Sequence, residues 1–186
     1  NYTITDVESS TVTVNPTTVD RLLLLVPNEQ HYPGTSSGKS GILQNQVAGS
    51  PFTVTVKACD RYWNRTNDSR QVIVETPDDP YDTEPAQQPL INGVREFSVT
   101  LITCDPMTGW KYHRIISRDP SLGITSQTVS NIRLDPGTKS KIALIMPGEQ
   151  LEPGSVSGKS GSMTPILAGS VFYARVYLCD SYWNKV

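Results

Sequence analysis

Apolar and polar side chains alternate at period two through much of this chain. Over 51–58, Phe52, Val54, Val56 and Ala58 point one way and Thr53, Thr55 and Lys57 the other. Over 97–103, Phe97, Val99, Leu101 and Thr103 share a face. Successive side chains of an extended chain face opposite ways, so both segments are predicted to be half-buried strands. The same reading makes strands of 20–27, 70–75, 110–117 and 124–134. The stretch 76–89 is broken by Pro77, Pro80, Pro85 and Pro89. Proline cannot donate to a ladder, so a long loop with at most an irregular edge strand is expected there. No stretch has the spacing of an amphipathic helix. The predicted class is all-β.

The pattern also returns on itself at a fixed offset of 120 residues. "NPTTVDRLLLLVPNEQHYPGTSSGKSG" from Asn15 recurs as "DPGTKSKIALIMPGEQLEPGSVSGKSG" from Asp135, and "AGSPFTVTVKACDRYWN" from Ala48 as "AGSVFYARVYLCDSYWN" from Ala168. Over 15–66 and 135–186, 23 of 52 aligned positions are identical. In the second copy Phe172, Ala174, Val176 and Leu178 take the inward positions. Fixed-period self-similarity marks tandem units, which build stalks, fibres or binding arrays. The expected division is 1–16 as the closing strand of one unit, 17–136 as a complete unit, and 137–186 as the opening half of the next, a window onto a longer array. About seven short strands in one period suggest an immunoglobulin-like β-sandwich. In order they are A (20–27), B (51–59), C (70–75), D (irregular, within 78–92), E (94–103), F (110–117) and G (124–134).

These residues resemble a known family. "AGSPFTVTVKACDRYWN", then a strand, a "DP" loop, "NGVREFSVTL" and a closing strand running into "VNP" are similar to bacterial Ig-like repeats of the filamin/invasin-like kind. The preceding "LLLLVPNEQHYPGTSSGKSG" resembles the leader that one subgroup places before strand B. The resemblance implies tandem Ig-like sandwiches in a long extracellular or cell-surface protein. The implied role is that of a non-catalytic stalk or fibre, whose partners are neighbouring copies of the repeat. A self-assembling filament or surface layer, and an adhesin module for cell-surface glycans, are the alternatives. Cysteine in "KACD" and "YLCD" departs from the aliphatic or small residue expected there.

Sixteen basic and 18 acidic residues leave a net charge of −2, without the basic footprint that nucleic acid requires. No apolar run approaches the roughly 18 residues of a membrane span.

Three cysteines are an odd number. In a sandwich with alternating strand directions, Cys59 ends strand B at the top and Cys104 ends strand E at the bottom. They are then about a strand length apart, too far for a disulfide. Cys179, at the top of the next unit, would meet Cys104 at the junction. The expectation is a Cys104–Cys179 inter-domain bond, both side chains pointing off the core, with Cys59 bonded to the preceding repeat. Free thiols and a Cys59–Cys104 bond are the rivals.

Other candidates each have a plainer alternative. Asp60, Asn64 and Asp119 could share one end of the sandwich as oxygen ligands for Ca²⁺, or could simply make turn hydrogen bonds. Tyr62, Trp63, Tyr182 and Trp183 are candidates for glycan stacking or for packing at a domain junction. Asn1, Asn64 and Asn67 begin glycosylation sequons. "GKSG" at 38–41 and 158–161 lacks the upstream glycine of a phosphate loop, since Pro33 and Pro153 stand there, and reads as turn-rich loop. His31 and His113 do not make a zinc site, and no nucleophile has an oriented base. No enzyme and no cofactor beyond that candidate Ca²⁺ are expected.

Overall fold

The computed structural model describes residues 6–186, which contain β-strands and no helix. In chain order the first seven strands are β1 (Arg21–Leu25), β2 (Glu29–His31), β3 (Lys39–Gly41), β4 (Gln46–Val47), β5 (Phe52–Cys59), β6 (Gln71–Glu75) and β7 (Gln88–Pro89). They are followed by β8 (Val94–Val99), β9 (Lys111–Arg118), β10 (Gln127–Asp135), β11 (Lys141–Ile145), β12 (Glu149–Leu151), β13 (Lys159–Gly161) and β14 (Arg175–Cys179).

Two sheets share one core. The first has the order β1-β5-β8 and the second the order β4-β10-β9-β6-β7. Neighbours are antiparallel except β4, which runs parallel to β10. Leu22, Leu24, Val54, Val56, Phe97 and Val99 of the first sheet meet Val72, Val74, Ile115, Ile132 and Leu134 of the second in one buried cluster. Each such side chain contributes roughly 1.5–3 kcal/mol on burial. The inward faces read from 51–58 and 97–103 are buried as expected, with Phe52 packed at the rim. In β10 the register shifts between Val129 and Ile132, and Asn131 has φ 62°. That bulge lets two apolar residues three apart both reach the core.

β1 is apolar on both faces because both are covered. Leu23 and Leu25, opposite the main core, pack with Cys59 and Trp63. The β2–β3 hairpin is tied to β1 by Lys39 Nζ, which donates to the carbonyl of Leu24 at 3.1 Å. The loop expected around "GKSG" is therefore partly strand. β7, two residues long and ending on Pro89, is the anticipated irregular edge strand.

The second copy forms only the pairs β11–β14 and β12–β13. Ile142, Leu144, Val176 and Leu178 are 70%, 52%, 66% and 44% exposed, whereas their counterparts Leu22, Leu24, Val56 and Ala58 are each 0% exposed. Phe172, Ala174, Val176 and Leu178, expected to face inward, are exposed: among the described residues no second sheet lies over them, and 171–174 is not strand. The opposite face does close: Ala143, Ile145, Leu151 and Cys179 cluster with Trp183, as Leu23, Leu25, Cys59 and Trp63 do 120 residues earlier. No helix of the described residues is long and apolar enough to cross a membrane.

Candidate functional site at the junction of the two repeat copies

The turn after β14 is built around Asp180. Its Oδ1 accepts the backbone N–H groups of Tyr182 and Asn184 at 2.8 and 2.9 Å. Its Oδ2 accepts Asn184 Nδ2 at 2.9 Å and the N–H of Gly137 at 2.8 Å. Trp183 takes the left-handed conformation, φ 66°. Asn184 is thereby aimed away from its own copy, with no exposed surface. Its Oδ1 accepts the N–H of Cys104 at 2.7 Å, and its Nδ2 donates to the carbonyl of Ile102 at 2.8 Å. A side-chain amide offers a donor and an acceptor side by side, so it pairs with a strand edge as another peptide unit would.

The 102–104 segment needs such a partner. It lies beyond the end of β8, where ladder pairing has stopped, and buried peptide groups must be satisfied. Asp79, 5% exposed, accepts the N–H of Ile102, the N–H of Thr103 at 3.0 Å and the Thr103 hydroxyl at 2.6 Å. Burial pushes the Asp79 carboxyl up, but these donors outweigh it and hold the group below its usual value. His113 Nε2 donates to the Thr103 carbonyl at 2.9 Å, and its buried Nδ1 has no partner. Burial holds the imidazole pKa below the ordinary value.

Apolar contact completes the junction. The Tyr182 ring lies on Gly49, where an added Cβ would stand 2.1 Å from the ring. A Cβ on Gly154 would meet Tyr81 at 2.6 Å and Thr103 at 2.7 Å. The Tyr81 hydroxyl donates to Glu152, and Lys185 Nζ donates to the carbonyl of Met107.

The turn after β5 repeats this geometry. Asp60 Oδ1 accepts Tyr62 and Asn64 N–H at 2.8 and 2.9 Å, and Oδ2 accepts Asn64 Nδ2 at 3.1 Å and Thr17 N–H at 3.0 Å. Trp63 has φ 68°.

The sequence-predicted residues divide accordingly. Asp60 and Asn64 belong to one turn. Asp119 instead holds Arg70 Nη1 at 2.8 Å and the N–H groups of Ser121 and Gly123. The carboxylates are committed to separate sets of donors, and no group of three His, Cys, Asp or Glu is placed to hold a metal among the described residues. Each tryptophan packs within its own copy: Trp63 lies on Gly38 and Trp183 on Gly158, each with a ring atom 2.3 Å from an added Cβ. Of the four aromatics, Tyr182 alone reaches the junction, and Tyr62 is 51% exposed. His31 bonds the Trp63 carbonyl at 2.6 Å. Asn67 is exposed, Asn64 engages Asp60 through Nδ2, and Asn1 lies outside the described residues.

The expected Cys104–Cys179 bond is not formed, and all three cysteines are buried free thiols. Cys104 is part of the main core, its Sγ toward the Leu134 carbonyl at 3.7 Å, so its side chain points inward and not to the junction. Period-two counting fails because β8 ends at Val99, five residues short of it. Cys59 and Cys179 do leave the main core face, but into the smaller clusters under Trp63 and Trp183. Burial raises the thiols of Cys59 and Cys104 to about 12 and that of Cys179 upward.

Asn184, Gly49 and the 102–104 edge escaped the sequence reading. The signal available was the presence of "AGS" and "YWN" in both copies. No protein-family model, no curated protein and no solved structure matches the chain.

Proposed function

We propose that this chain is a segment of a tandem array of Ig-like sandwiches in an extracellular or cell-surface stalk or fibre. Its task is mechanical: each unit folds around its own core and is held at a set angle to the next. The supporting observation is Asn184, a buried side chain whose pairing with Ile102 and Cys104 serves the contact between copies. An enzyme has no counterpart support, since neither histidine orients a nucleophile.

Residual dipolar couplings of the full chain test the spacer. One alignment tensor should fit 17–136 and 137–186 together. Two tensors of different magnitude would reject a fixed angle.

A filament or surface-layer subunit is the second reading, and polymerisation of the purified chain would favour it over a spacer. The glycan-binding reading has less support, because both indoles are spent on glycines.

A further inference from the structure

The junction described above uses one end of each copy, and the same end of the first copy is present without an occupant. We infer that Gly34, Tyr62 and Asn64 form a preorganised socket for the far end of another unit of this repeat. The inference rests on the tandem-array reading and extends it to a second interface.

Each element of the occupied junction has its counterpart 120 residues earlier. Asn184 is fully buried and pairs with Ile102 and Cys104; Asn64 is part-exposed and, among the described residues, receives no donor at Oδ1. Tyr182 covers Gly49, while Tyr62 stands 51% exposed. Gly154 is pressed against Tyr81 and Thr103, while nothing lies within 4 Å of a Cβ placed on Gly34. The glycines hang from the tyrosines in the same way, Gly34 N–H to Tyr62 carbonyl at 2.9 Å and Gly154 N–H to Tyr182 carbonyl at 2.7 Å. The turn backbone already holds the geometry of the occupied junction, so docking requires little ordering beyond moving the Arg61 side chain off Tyr62.

The occupant is specified by chemistry. It must present a free peptide N–H and C=O two residues apart for the Asn64 amide, and a bare Ala-Gly turn beneath the tyrosine. The Ile102–Cys104 edge and Ala48-Gly49 have both. The segment leading into the socket fits such a unit. Val12, Val14 and Pro16 stand in register with Ile132, Leu134 and Pro136. Ile132 and Leu134 are core residues, whereas Val12 and Val14 are 83% and 85% exposed. One difference sets the specificity. Arg61 replaces Ser181, stacks on Tyr62 at 4.8 Å and donates to its hydroxyl at 2.7 Å, so a docking unit must displace it.

The test is a full chain in which a copy of 17–134 is inserted ahead of Asn15, giving one native and one new junction. Amide exchange at Cys104 is read in both copies. The expected result is protection of both, with Asn64→Ala raising exchange about tenfold or more at the added copy's Cys104 alone, and Asn184→Ala doing so at the original Cys104 alone. An added Cys104 that exchanges freely, or is indifferent to Asn64→Ala, beside a protected original overturns the socket and leaves the array reading intact. Loss of protection at both would overturn the array reading itself. Arg61→Ser should strengthen the new protection without touching the old.

Discussion

Trp63 and Gly38, 25 residues apart in the chain, meet in one contact: the indole lies where any side chain at position 38 would have to go, with Cδ2 2.3 Å from an added Cβ. Gly38 also has φ 73°. Gly38→Ala should therefore destabilise the chain by at least about 2 kcal/mol, from left-handed backbone strain and displacement of the ring. Denaturant unfolding of Gly38→Ala, Trp63→Phe and the double variant checks the contact. The double variant should be less damaged than the sum of the singles, and strict additivity would show that the two residues act separately.

The repeat allows an internal control on burial. Leu22→Ser and Val56→Ser, at 0% exposure, should each cost about 3 kcal/mol or more. Ile142→Ser and Val176→Ser, at the equivalent positions of the second copy, should change the unfolding midpoint little and reduce dye binding to the exposed apolar face. Equal losses at both pairs would mean that the second face is covered in solution.

Val99 stands opposite Phe52 in the β5–β8 register and is 1% exposed. Val99→Asp places an unpaired carboxylate between the sheets and should abolish the folded state. A cooperative thermal transition in that variant would contradict the shared core.

The thiols should be chemically silent. With Cys59 and Cys104 raised to about 12 by burial, alkylation at mild alkaline pH should leave both unmodified until denaturant is added, when all three cysteines react. Rapid labelling of Cys104 in the native chain would show that the 102–104 segment opens.

Two groups give opposing pH dependence. The buried His113 has a folded-state pKa below its unfolded 6.5. Its contribution to stability is complete above 6.5 and is lost as pH falls through the folded value. Burial raises Asp82 from 3.8 to about 6, so its contribution is complete below 3.8 and lost as pH rises through about 6. His113→Gln should flatten the loss of stability as pH falls below 6.5, and Asp82→Asn should stabilise the chain most at neutral pH. Urea midpoints as a function of pH measure both; a His113→Gln profile parallel to the original would place the acid sensitivity elsewhere.

Strand positions and core faces were legible wherever a strand is long and one face is buried, as at 52–58. The β2–β3 hairpin was not, because "EQH" and "KSG" are short and polar and gain their order from Trp63 and Lys39. The cysteine geometry went astray at the point where ladder pairing stops: after Val99 the 102–104 backbone is held by Asp79, His113 and Asn184, and Cys104 turns into the core. The junction itself was half legible. Its location followed from the repeat, but not its chemistry, since an asparagine in a "YWN" turn gives no sign of reaching across to a backbone 80 residues away.

Residues 136–140 are all that separates β10 from β11. The four hydrogen bonds between the copies, each about 0.5–1.5 kcal/mol net, fall short of the roughly 8 kcal/mol that holds free molecules together at micromolar concentration. A tether this short raises the local concentration of one partner around the other to about the millimolar range. Contacts of that modest strength then suffice, and they part and re-form without the partners drifting away. In the array proposed above, the consequence would be a joint that opens before either sheet does and closes again in place.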